Sequence, residues 1–276
     1  MTRAAVLLAT GTFWAVMMTA LVKREILPFF EYQSPPSYRT MFRDRRDPEL
    51  ERRTIYMGAE NRGTVESLFE PLRNGHYRTR TKFNLKLRVP KLNDVPMTLY
   101  TEVNVDPAYQ LSDFSIRTEI VGMPMRVGGM RRGDKLMMNY GSRVMKGMPG
   151  EIDFPKDMTL SDGFTPYGGG AKLAVGKKWL VQTMDVSLTG LTPVTAFARV
   201  ERRELKRWQG REVPTHVVEI RKRESDELPS HTVWVGEDGI VLVEQMSFDK
   251  LLYTIVLEEK RTVTAAEIAK WDWPRE

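Results

Sequence analysis

The chain has 276 residues, with 42 Lys and Arg against 36 Asp and Glu for a formal charge of +6, and 41% hydrophobic residues, enough to bury a core. It contains no cysteine, which excludes disulfides, thiol nucleophiles and thiolate metal sites. The cationic excess fits solvated sheet faces best, with an anionic partner such as lipid headgroups or cell-wall polymers as the alternative. There is no zinc-finger spacing, basic helix or RNA-binding signature, so no nucleic-acid partner is expected.

Residues 4–22 (AAVLLATGTFWAVMMTALV) form an uncharged run. At about 1.5 Å per residue, a helix of that length spans the roughly 30 Å core of a bilayer. A secretory signal has a shorter apolar stretch and a small-x-small cleavage site, and here Met18 stands where a small residue is wanted before the cut after Ala20. An uncleaved transmembrane signal-anchor over residues 1–26 is therefore expected, in preference to a cleaved signal. A buried soluble helix fits less well, because Lys23-Arg24-Glu25 follow at once and no amphipathic face is visible. For orientation, the cations after the run (Lys23, Arg24, Arg39, Arg43, Arg45 and Arg46) favour a cytoplasmic body. Arg3 ahead of the run and the length of the following domain favour export. The expectation is a single-pass protein with its body periplasmic or otherwise extracytoplasmic.

Residues 27–53 read as a juxtamembrane stalk. Pro28, Pro35 and Pro36 forbid a continuous helix, and Arg43-Asp44-Arg45-Arg46-Asp47 is a mixed charge run. A β-rich domain over residues 54–276 is expected to follow. Its clearest strand is 77–89, where Tyr77, Thr79, Thr81, Phe83, Leu85, Leu87 and Val89 alternate with Arg78, Arg80, Lys82, Asn84, Lys86 and Arg88. That period of two marks an amphipathic strand in a sheet wet on one side. Asn74-Gly75 predicts a hairpin turn between residues 64–72 and this strand. The alternation returns with Met97, Leu99, Val103 and Val105, and again with Phe114, Ile116 and Ile120. Further strands are expected at 125–127, 135–140, 179–188, 194–205, 213–222, 231–235, 240–247 and 251–260, with a helix at 265–271 behind Thr264 as cap. The fold class is thus mostly β: one large, curved, half-barrel-like antiparallel sheet, with an N-terminal transmembrane helix and a short C-terminal helix.

Residues 147–176 (GMPGEIDFPKDMTLSDGFTPYGGGAKLAVG) lack strand pattern and predict a long central loop laid across the sheet. Its aromatic residues Phe154, Phe164 and Tyr167 argue against plain disorder. Of the sixteen methionines, Met123, Met125, Met130, Met137, Met138, Met145, Met148 and Met158 crowd into one stretch. Methionine fills cores, adapts to varied apolar ligands and binds soft metals. Core filling and an adaptable apolar surface fit best, since no Met-x-x-Met series or accompanying histidine supports a metal.

Sites for catalysis are not legible. His76, His216 and His231 belong to no metal-binding or catalytic spacing, and Gly168-Gly169-Gly170 lacks the lysine and hydroxyl of a phosphate loop. No Gly-x-Ser-x-Gly or Ser-x-x-Lys occurs. Asp162, Asp185 and Glu219 are as eligible as many other carboxylates for paired acid–base work. No catalytic residue, metal or cofactor is expected.

Gly176-Lys177-Lys178-Trp179 opens a strand, Trp208-Gln209-Gly210-Arg211-Glu212-Val213-Pro214 leads into Val217-Val218-Glu219-Ile220, and Val233-Trp234-Val235 precedes Asp238-Gly239-Ile240-Val241. Over residues 54–262 this layout resembles the lipoprotein-carrier-like half-barrels of bacterial envelopes, and exported domains of similar design, some found beside transglutaminases. The resemblance implies a curved sheet around an apolar cavity for lipid or lipid-modified protein. Transglutaminase chemistry is excluded without cysteine, and a tethered chain cannot act as a diffusing shuttle. The expected function is a non-catalytic, membrane-anchored envelope protein with a structural or partner-binding role, its partners being the membrane and envelope proteins. The alternatives are a binder of lipid or another long apolar ligand, lined and gated by Met123, Met125, Met137, Phe154, Phe164 and Tyr167, and a hydrolase. Nothing in the sequence signals oligomeric state.

Overall fold

The computed structural model describes residues 2–21, 37–43, 45–88, 94–120, 123–142, 148–154, 159–160, 173–187, 190–248 and 251–274. Two helices come first, α1 (Thr2–Leu21) and α2 (Tyr38–Phe42). The strands β1 (Glu49–Met57), β2 (Glu60–Pro71), β3 (Tyr77–Leu87), β4 (Val95–Val105), β5 (Leu111–Ile120), β6 (Met123–Arg132), β7 (Lys135–Ser142) and β8 (Met148–Asp153) follow. Then come β9 (Lys178–Ser187), β10 (Gly190–Trp208), β11 (Arg211–Arg221), β12 (His231–Gly236), β13 (Val241–Phe248), β14 (Leu251–Thr262) and helix α3 (Ala265–Lys270).

All fourteen strands belong to one antiparallel sheet in the order β8-β7-β6-β5-β4-β3-β2-β1-β14-β13-β12-β11-β10-β9. Two meanders therefore run outward from the middle, where the first strand pairs with the last. Among the described residues the sheet is unclosed, with β8 and β9 at its edges. The Asn-Gly turn forms as expected between β2 and β3, with both residues in the left-handed region (φ 66° and 76°) that such a turn demands.

The alternation read in β3 sets the two faces of the whole sheet. Phe83 lies opposite Val65 and Leu99, and Thr81 opposite Ser67 and Thr101. Followed strand by strand through the register, this face carries Ile116, Val127, Tyr140, Ile255, Val233, Val218 and Trp179. It buries the three largest apolar clusters and is the inner face. One of these clusters joins Phe69 of β2 to Phe154 beyond β8. Those strands are six places apart, about 29 Å in a flat sheet, so the sheet must curve to bring them together. Gly129 helps: a Cβ there would come 2.3 Å from the Phe114 ring, which lies across the bare backbone.

Several expectations are corrected. Residues 38–43 and 45–53, read as stalk, are part of the body: Tyr38 and Phe42 of α2 are core residues, and β1 starts at Glu49. The central loop is shorter than expected, since Met148–Asp153 forms β8 and pairs with β7. A proline and a glycine in that strand had masked it.

On the outer face, Arg80 and Lys82 are not solvated. The C-terminal segment covers them: Ile268 and Trp271 pack on Leu50, Leu68 and Val263. Arg80 pairs with Glu70 and lies against the rings of Trp271 and Trp273, and Lys82 pairs with Asp272. Thr264 and Glu267 form the capping box that starts α3.

A helix forms at Thr2–Leu21, where a membrane-spanning one was expected. Its side chains are described from Thr10 onward, and every one of them is exposed, including Phe13, Trp14, Val16 and Met17. Among the described residues no helix is long and apolar enough to cross a membrane.

Phe83 is 2% exposed, so Phe83→Ala should cost about 3–5 kcal/mol in urea denaturation. Lys86→Glu, on the exposed outer face of the same strand, should stay within about 0.5 kcal/mol. Equal losses would contradict the assignment of faces.

Candidate functional site

The inner face differs from one end of the strands to the other. At one end, where β1 begins and the β2–β3 and β4–β5 turns lie, α2 is laid over the sheet as a plug. Phe42 stacks on Phe69 and Tyr77, with ring centroids 5.0 and 5.5 Å apart, and Tyr38 stacks on Phe42 at 5.7 Å. Tyr77 in turn stacks on Tyr109 at 5.5 Å. Tyr109 holds a left-handed φ of 60°, uncommon for an aromatic residue. The turn imposes it: the Asp106 carboxylate accepts from the amides of Ala108 and Gln110, and the Tyr109 amide donates to the Asp106 carbonyl. The Tyr38 hydroxyl accepts from the Leu160 amide and donates to the Leu160 carbonyl, tying the plug to the segment beyond β8.

Beside the plug, a set of charges lies on the inner face where β1 meets β14. Arg53 donates to Glu51 at 2.8 Å and to the Val241 carbonyl at 3.0 Å. Arg45 approaches Glu49 and Glu51 at 3.4 and 3.7 Å, and Lys260 lies 3.3 Å from each. Arg45 also covers the face of Phe69. Burial opposes ionisation of Glu51, but the charges of Arg53, Arg45 and Lys260 and the Arg53 hydrogen bond outweigh it and hold the carboxyl at about 2. Chemically this is an ion cluster of three cations around two carboxylates, and a carboxylate so acidic cannot serve as a general base near neutral pH.

Toward the opposite end of the strands the inner face becomes apolar and half-buried. Met57, Leu85, Leu87, Val95, Met97, Met246 and Leu251 line it, with Met125 at 37% exposure. Ile55, Val65, Phe83, Tyr253 and Ile255 form a buried floor on which Met57, Leu85, Met246 and Leu251 pack.

Of the residues singled out from sequence, Met125 falls on this inner face, opposite Thr118. Met123 opens β6 opposite Ile120, its side chain outside the described residues. Met137 belongs to the other face, where it opposes exposed Met130. Phe154 is no exposed lid: it is fully buried with Leu136 and Leu160 in the plugged end's core. Phe164 and Tyr167 lie outside the described residues. Sequence reading missed Met57, Met97 and Met246, which are scattered along the chain and share this face only through strand register.

The histidines do not assemble. His76 is exposed in the β2–β3 turn, His231 opens β12, and His216 lies on β11 opposite Val235 near the other end of β12. Burial, then the Arg203 charge, lowers the His216 pKa; burial, then Lys222, lowers that of His231. Among the described residues no group of three or more His, Asp or Glu could hold a metal ion.

No protein-family model matches the chain, and no curated protein sequence is detectably similar to it. Solved structures do resemble it. A β-barrel-like protein from Brucella abortus, of the domain of unknown function DUF1849, superposes with a TM-score of 0.52 at 12% identity, over 80% of this chain and 99% of that one. The fold is barrel-like. A DUF1089 family protein from Pseudomonas aeruginosa gives a TM-score of 0.36 at 12% identity, over 64% of this chain and 87% of its own. The Brucella likeness supports the large curved antiparallel sheet and concerns architecture alone.

Glu51 supplies a pH signature. Its folded pKa lies below the ordinary 4.5, so its stabilisation is present above that value and is lost as pH falls toward 2. The shift corresponds to roughly 3 kcal/mol. Urea midpoints between pH 5 and pH 2 should therefore fall more steeply in the native chain than in Glu51→Gln, and parallel slopes would contradict the cluster's role.

Proposed function

We propose that this chain is a membrane-anchored, non-catalytic envelope protein in which a barrel-like β domain serves a structural or partner-binding role. The observation that carries this reading is the contrast between α1 and the body. In the body the exposed large apolar side chains (Met125, Met130, Val175, Leu205, Leu228 and Leu252) are scattered over separate strands and loops, whereas Phe13, Trp14, Val16, Met17, Met18 and Leu21 are 40–65% exposed together on the single helix α1. Bare apolar side chains around a helix have a low-energy home in lipid. The uncharged run 4–22 matches the bilayer core in length, and the exported orientation follows the signal-anchor layout of Arg3 ahead of it.

A second reading is favoured by the half-buried methionine and leucine side chains at one end of the inner face. Met57, Met97, Met125 and Met246 come from four different strands and give an adaptable apolar lining of the kind that accepts varied long ligands. Burial of an acyl chain there would gain about 0.8 kcal/mol per CH₂.

The anchored reading predicts that the full chain stays in the pellet after alkaline carbonate extraction of bacterial membranes, and that protease digests its body only when it reaches the outer side of the cytoplasmic membrane. Release into the supernatant would overturn the anchor, and a body protected in intact spheroplasts would overturn export. For the second reading, detergent-extracted protein should bind a fluorescent fatty acid saturably, with Met97→Glu weakening binding about tenfold or more through the buried charge. No saturable binding by folded protein would remove it.

A further inference from the structure

The plugged end of the sheet carries a group of exposed cations with no carboxylate partner among the described residues, of which Arg39 lies over the Tyr109 ring. Arg39 and Arg43 sit on α2 and just after it, Arg46 precedes β1, and Arg73 is on the β2–β3 turn. All four are exposed, and none is within ion-pair distance of a carboxylate among the described residues. This sets them apart from Arg45, which turns inward to Glu49 and Glu51, and from the outer-face arginines Arg52, Arg202 and Arg221, each bonded to glutamates. Strand register gathers them. The start of β1 lies opposite Phe69 near the end of β2, Arg73 follows that end directly, and Phe42 stacks on Phe69 and Tyr77 to hold α2 against the same place. Of the nearby acids, Asp106 is committed to the amides of its own turn.

Chain continuity adds a direction. Ser37 and α2 are the first described part of the body after α1, so the chain leaving the apolar helix joins the sheet at this end. We infer that the plugged end is the membrane-facing end of the β domain, and that Arg39, Arg43, Arg46 and Arg73 dock it on an anionic bilayer surface through lipid phosphates. Guanidinium groups pair with phosphate oxygens in bidentate geometry, and clustered cations next to a membrane anchor are attracted by anionic leaflets over about a Debye length. The opposite, methionine-bearing end then points away from the membrane. The inference rests on the anchored reading.

The chain has no cysteine, so single substitutions report position cleanly. Full-length His76→Cys, on the β2–β3 turn, and Ala59→Cys, on the β1–β2 turn at the other end, would each carry a fluorophore. The labelled chains are then reconstituted into vesicles of phosphatidylcholine alone or mixed with phosphatidylglycerol, each containing headgroup-nitroxide lipid as quencher. The His76→Cys label should be quenched at least twofold more than the Ala59→Cys label in the anionic vesicles. That excess should vanish in high salt and in the added triple variant Arg43→Gln, Arg46→Gln, Arg73→Gln. Equal or reversed quenching, or an excess indifferent to lipid charge and to the triple variant, would overturn the inference while leaving the anchor intact. Failure of the full chain to float with vesicles of either composition would overturn both.

Discussion

The structure depends on one pairing between residues about as far apart as the body allows. β1 and β14 run antiparallel from Glu49 opposite Thr262 to Met57 opposite Tyr253. Every other contact between neighbouring strands joins elements consecutive in sequence. Without β1–β14 the sheet would be two separate meanders, each with an extra exposed edge. Loop-closure entropy opposes so distant a contact, so side chains on both faces must specify it. On the inner face these are Ile55 opposite Ile255 and the ion pairs of Lys260 with Glu49 and Glu51. Arg53 reaches past β14 to the carbonyl of Val241 in β13, bonding a third strand to the seam. On the outer face Leu50, Leu68 and Val263 are clamped by Ile268 and Trp271 of the C-terminal segment.

Placing charges inside a barrel-like sheet is costly unless each is paired. Here the pairing does two things at once. It fixes the seam, and it converts the adjacent inner surface into a filled, polar zone beside the aromatic plug. The apolar side chains left half-buried are consequently those toward the other end. The asymmetry of the inner face thus follows from where the chain begins and ends its sheet.

Much of the sheet was legible because its faces differ in solvation. The strict alternation of β3, the Asn74-Gly75 turn and the Thr264–Glu267 cap each encode local geometry in a few residues, and each formed as read. β1 was hidden because its inner-face charges, Glu49, Glu51 and Arg53, look like a solvated run until their partners arrive from β14 and the segment before it. β8 was hidden by Pro149 and Gly150, and Phe154 was misplaced with it. The methionine cluster misled for a geometric reason. Met125 and Met137 are near in sequence, but Met125 opposes Thr118 while Met137 opposes Met130 on the other face. The lining at the far end draws instead on Met57, Met97 and Met246, which share a face only once β1, β4 and β13 are in register.

Amide hydrogen exchange of the folded chain tests the central claim most directly. If β1–β14 unites the sheet, the bonded amides of these two strands should exchange only through global unfolding, with the same protection free energy and denaturant dependence as those of β3 and β11. Protection in β1 and β14 that is lower than in both flanking meanders, or two meanders that open at different denaturant concentrations, would contradict a single sheet held at this seam.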